Sequence, residues 1–210
     1  MTEQEWLSCT DRDVMLNFLR DKASDRKLRL FACACCHRIG HLLIDNRSRR
    51  IVEATERFAD GEIDFDTLCA ALDGPNRPKS VTADLCFREA WWAAFLVSYD
   101  AAAKMCAASQ DTDGALYISE SQAQCLLLRE VMGNPFRDAF IHTKRLMANK
   151  GRTRTLAHAI YDNRDFATMP ILADALQEAG CDNADILNHC RLPGEHVRGC
   201  WVVDLLLGKS

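Results

Sequence analysis

Apolar residues recur at helical spacing along most of this chain, and the polar positions between them mark where each helix begins and ends. The clearest run is DRKLRLFACACCHRIGHLLIDN, residues 25–46, where Leu28, Phe31, Cys35, Ile39 and Leu42 fall on one stripe at about 100° per residue, with Ala32 and Leu43 at its edge. Ser24 precedes it as an N-cap, with Lys27 where a capping box would place a glutamate. Thr10 or Asp11 opens a helix over DVMLNFLRDK. Asn46 or Ser48 opens one over RRIVEATERFADG, ending at Gly61, and Asp64 opens one over FDTLCAALDG, ending at Gly74. GPNRPKS reads as a loop, and after it comes the longest helical pattern, over about residues 82–108. That helix carries Trp91, Trp92, Phe95 and Tyr99, whose bulk predicts a core face.

Ser119 then opens SQAQCLLLREVMG, which Gly133 and Pro135 stop, and shorter helices are predicted over 153–162, 169–179 and 184–190. The tail GCWVVDLLLGK is too evenly apolar to assign between helix and strand. With no alternating strand pair and no Asn-Gly hairpin turn, the pattern predicts an all-α protein. The expected architecture is an irregular bundle of roughly eight to nine helices with a short irregular C-terminal segment. It forms a single domain over 1–210, with places to subdivide near 75–81 and 133–152.

Charge narrows the partners. Of 210 residues, 26 are basic and 30 acidic, a net of −4, so no overall field draws the protein to nucleic acid or to an anionic membrane. The start, MTEQEWLSCTDRD, has no basic stretch leading into an apolar run, and no apolar stretch approaches the roughly 18 residues that a bilayer span needs. The expectation is a cytoplasmic protein without membrane contact.

That expectation changes how the 11 cysteines read: in a reducing compartment they are thiols, most of them small core residues. Cys33-Ala34-Cys35-Cys36-His37 spells C-x-x-C-H, the haem-attachment signature, yet no export signal precedes it and Cys35 lies on the core stripe, so no haem is expected. Cys33, His37 and His41, at i, i+4 and i+8, fall on a different face that they share with Arg26. Their plainer reading is a partly exposed polar face rather than a metal column.

Three further stretches carry candidate chemistry. SQDTDGALYISE fits a calcium-loop template with Ser109 first, Asp111 third, Asp113 fifth, Gly114 sixth and Glu120 twelfth. The neutral serine at the start and the lack of a second loop speak for a turn, so calcium is not expected. IHTKRLMANKGRTRT, residues 141–155, holds Lys144, Arg145, Lys150, Arg152 and Arg154 with no acidic residue, a candidate anion-binding segment. It has no interleaved aromatic to stack on bases, and a solvated loop is the plainer reading. In NADILNHCRLPGEHVRGCWVVD, His189 and Cys190 end a helix, Pro193 and Gly194 turn the chain, and His196 and Cys200 follow. These four residues form a soft-to-borderline donor set that suits zinc, and a structural site filled entirely by protein is the expected form.

The segments SDRKLRLFACACCHRIGHLL, LLREVMGNPF, AIYDNRDFATMPILADALQEAGCDNADILNHC and HVRGCWVVDLLLGKS resemble a family of uncharacterised proteins numerous in planctomycete bacteria. The resemblance implies a lineage and carries no activity with it. In that family's pattern the position of His37 is commonly arginine and that of Gly40 commonly tryptophan, which weakens the Cys33, His37, His41 column. The pattern includes His189, Cys190, His196 and Cys200, and does not extend to residues 139–155.

No phosphate loop, nucleophile elbow or H-E-x-x-H occurs, so an enzyme is the less favoured reading. The expected function is a helical interaction or scaffold module that binds another protein and carries a structural zinc near its C-terminus. The alternative is a metal- or thiol-dependent enzyme, or a nucleic-acid-binding protein using the basic segment 141–155.

Overall fold

The computed structural model describes residues 1–43, 45–72, 81–109, 113–137 and 151–209, and among them the fold is all-α, with no strand. The chain divides into two compact units, Met1–Arg129 and Glu130–Ser210.

The first unit contains α1 (Glu3–Ser8), α2 (Arg12–Leu19), α3 (Asp25–Arg38), α4 (Asn46–Ala59), α5 (Phe65–Leu72), a 3-10 turn η1 (Val81–Cys86), α6 (Ala90–Ser109) and most of α7 (Ala115–Met132). Caps set several of the starts. The hydroxyl of Ser24 accepts from the Lys27 amide, the Asp11 carboxylate from the amides of Asp13 and Val14, and the Asp45 carboxylate from the Ser48 amide, one residue earlier than expected. Thr2 and Glu5 close a capping box on α1, a helix the apolar pattern does not reveal.

α3 is central and packs against α4, η1 and α6. It is shorter than its apolar stripe, ending at Arg38, and from Leu28 to Cys36 every residue is buried. Cys33 does not share a polar face with the exposed His41, because its thiol is buried and points at the Val52 carbonyl, 3.8 Å away. His37 is engaged elsewhere, its Nε2 lying 2.9 Å from Glu56 Oε1.

The helix expected over 82–108 is also broken, at Phe87–Glu89. Buried Arg29 of α3 explains the break, since its guanidinium donates to the carbonyls of Leu85, Phe87 and Arg88 at 3.2, 3.0 and 2.7 Å. Those carbonyls find there the partners that a continuous helix would have given them. The buried face of α6 is made of Ala90, Ala93, Ala94, Val97, Ser98, Ala101 and Ala102. The heavy aromatics lie off that face: Trp92 is 40% and Tyr99 48% exposed, while Trp91 stacks on Phe95 at 5.2 Å. Packing against the cysteine- and alanine-rich α3 selects small residues, so bulk is a poor guide to burial here.

The second unit contains the last turn of α7 and then α8 (Arg152–Asn163), a 3-10 turn η2 (Phe166–Thr168), α9 (Met169–Glu178), α10 (Ala184–Arg191) and α11 (Trp201–Leu207). The tail left unassigned by its apolar pattern is therefore a helix. α8 packs on α9 and α11, and α10 on α9 and α11, around a core that includes Ile160, Met169, Leu172, Ile186, Val202 and Val203. Each such side chain contributes roughly 1.5–3 kcal/mol on full burial, so this unit has a core of its own.

Candidate metal centre

Four side chains from four places in the second unit converge. Glu130 comes from the last turn of α7 and His189 from the last turn of α10. His196 stands in the loop after Pro193 and Gly194, and Cys200 is the residue before α11. One donor atom from each lies within 4.8 Å of all the others. His189 Nε2 is 3.2 Å from both Cys200 Sγ and Glu130 Oε2, and His196 Nδ1 is 3.1 Å from Glu130 Oε1. The imidazole rings meet edge to face, with centroids 5.1 Å apart.

The sequence brings them together for local reasons. Asn183 caps the start of α10 through the amides of Asp185 and Ile186, which fixes the helix that presents His189. Gly133, at φ +69°, ends α7 in the left-handed region, and a β-carbon there would lie 3.1 Å from Trp201 Cγ. Only glycine lets the indole of α11 approach this closely to the turn beyond Glu130.

Burial shapes the electrostatics. Side-chain exposure is 17% for His189, 9% for His196 and 7% for Glu130, and Cys200 is fully buried. Burial pushes the Cys200 thiol well up, the Glu130 carboxylate adds to the shift, and the Val203 and Val202 amides only partly oppose it. Burial likewise lowers His189, against the pull of Glu130 and with a push from His196, so its ring stays neutral at pH 7. A divalent cation among these groups would reverse the logic at Cys200, since a coordinating thiol is deprotonated outright.

The set has one sulfur, two imidazole nitrogens and one carboxylate, all of them ligands that zinc accepts. Ligand atoms around a tetrahedral zinc lie roughly 3.3–3.8 Å apart, given bonds of about 2.0–2.3 Å. The shortest separations here, 3.1 and 3.2 Å, lie just under that range, and the widest, up to 4.8 Å, need a contraction of about 1 Å.

His189, His196 and Cys200 are thus together, but Cys190 is not with them. It faces the apolar core of the unit, where burial raises its thiol to about 12. Glu130 takes the fourth place instead. The sequence holds a faint signal for it: a carboxylate at i+3 from Leu127 on a helix whose neighbours Leu127, Leu128 and Val131 are buried.

The other candidates fall elsewhere. Arg152 lies 3.5 Å from Glu178 on the surface of the second unit and Arg154 is exposed, while Lys144, Arg145 and Lys150 lie outside the described residues, as does Asp111 of the calcium template. α7 begins at Ala115, four residues before the expected Ser119, and so takes in the second half of that template. Glu120, its twelfth position, is buried in an ion pair with Arg38, Nε to Oε1 at 3.0 Å and Nη2 to Oε2 at 2.9 Å. Among the described residues no helix is long and apolar enough to cross a membrane. Compared with protein-family models, curated proteins and solved structures, the chain gives no significant match in any of the three.

Proposed function

We propose that this chain is a cytoplasmic helical interaction module that binds another protein, and that its C-terminal tail is held by a structural zinc ion on Glu130, His189, His196 and Cys200. The observation that carries the zinc reading is the convergence of these four donors within 4.8 Å. Their low exposure supports a structural role over a catalytic one, because four protein ligands leave no open position for water or substrate. A thiol-nucleophile reading has less support, since Cys200 is buried and its thiol is pushed up rather than down.

Elemental analysis of purified protein, loaded with zinc and dialysed, tests the reading. About one zinc per chain is expected, and a chelator should lower the melting temperature of the second unit without abolishing its fold, because its apolar core remains. Protein that retains no zinc and melts unchanged with chelator would overturn it.

A further inference from the structure

Trp201 occupies the ring nitrogen of His189 on which a bound ion would need to leave a proton. Its Nε1–H donates to His189 Nδ1 at 3.1 Å, and an indole N–H can only donate. Nδ1 is therefore the accepting, unprotonated nitrogen. The ring's one proton is on Nε2, facing Glu130 Oε2 and Cys200 Sγ at 3.2 Å each.

A metal at Nε2 asks for the opposite arrangement. The lone pair of Nε2 goes to the ion and the proton moves to Nδ1, where ligating histidines almost always find an acceptor. Here a second donor already points at that place. His196 differs: its Nδ1 faces Glu130, and passing its proton to Nε2 frees Nδ1 for an ion.

We propose that Trp201 sets the affinity of the site for borderline divalent cations such as zinc, because its hydrogen bond to His189 and an ion on His189 Nε2 exclude one another. This rests on reading the four-residue cluster as a metal site. The indole cannot withdraw toward the end of α7, where it already lies against Gly133. It must rotate, or α11 must shift. Cys200 and Trp201 are consecutive at the start of α11, so drawing Cys200 onto an ion and releasing Trp201 from His189 are one movement of one short helix. Trp201 is thus a positioning residue that holds the cluster in its hydrogen-bonded arrangement until an ion displaces it.

The test uses the full chain labelled with 15N. Its 4 tryptophans give four indole N–H resonances, and that of Trp201 is identified by its absence in Trp201→Phe or, should that variant not fold, by its through-space contact with the His189 ring. Zinc is titrated against a chromophoric chelator. The Trp201 resonance should move as one equivalent binds, and Trp201→Phe, which keeps the ring but not the donor, should bind zinc roughly three- to tenfold more tightly. Zinc bound equally by both proteins with the Trp201 resonance unmoved would overturn this inference and leave the metal site standing. Zinc bound by neither would overturn the site and the inference with it.

Discussion

Two stretches of this chain are rich in cysteine and histidine, and they have opposite fates. Cys33, Cys36 and His37 lie in α3, and His41 follows three residues after its end. There the thiols are buried and His37 pairs with Glu56. A column at i, i+4 and i+8 rises about 12 Å along a helix axis, too far for its two ends to share one ion. In the second unit the donors come from a helix end, a loop, a helix start and a neighbouring helix, and they converge. Ligand density along the chain is therefore a weaker guide than a turn that folds the chain back on itself, as Pro193 and Gly194 do.

The largest expected effect exchanges the two stretches. Cys200→Ser or His196→Ala should abolish zinc retention, whereas Cys33→Ser, Cys36→Ser and His37→Ala should leave it at about one equivalent, as read by elemental analysis after dialysis. Loss of zinc in the α3 variants would erase the contrast. A smaller effect, on stability alone, comes from Cys35→Ser. This fully buried thiol gives way to a hydroxyl with stronger hydrogen-bonding demands, which should cost about 1–3 kcal/mol in urea unfolding and leave zinc binding intact.

The smallest effect is a pH dependence in the first unit, at the carboxyl pair Asp84 and Asp100. Burial, and then the charge and hydrogen bond of Asp100, raise Asp84 from the ordinary 3.8 to about 6. Within that window the folded state keeps a proton that the unfolded chain has lost, so stability falls as pH rises through it and is greatest below it. Asp84→Asn should remove this slope, gaining stability over the parent at pH 7 and losing the advantage near pH 4. Parallel unfolding curves for the two proteins at all pH values would contradict the assignment.

Much of the fold was legible because helix periodicity and caps are local: Ser24 and Asp11 stand where helices start, and Gly61 and Gly133 where they stop. The errors arose where tertiary contacts decide. Arg29 ends η1 from another helix, and α6 turns alanines inward and aromatics outward because its neighbour is α3. The site was legible in three of its members, which lie within one short segment. Glu130 lies about sixty residues earlier, and its one local signal is its place three residues after Leu127 in the apolar run CLLLREVM. Cys190, adjacent to His189, points the other way because neighbours on a helix are turned by about 100°.

The most direct test of the four-residue centre is X-ray absorption at the zinc edge on the loaded full chain. Ligation by Cys200, His189, His196 and Glu130 predicts a first shell of one sulfur at about 2.3 Å and three nitrogen or oxygen atoms at about 2.0–2.2 Å, with the outer scattering of two imidazoles. A shell with two sulfurs would put Cys190 in place of Glu130, and a shell with none would remove Cys200; either would contradict the centre described here.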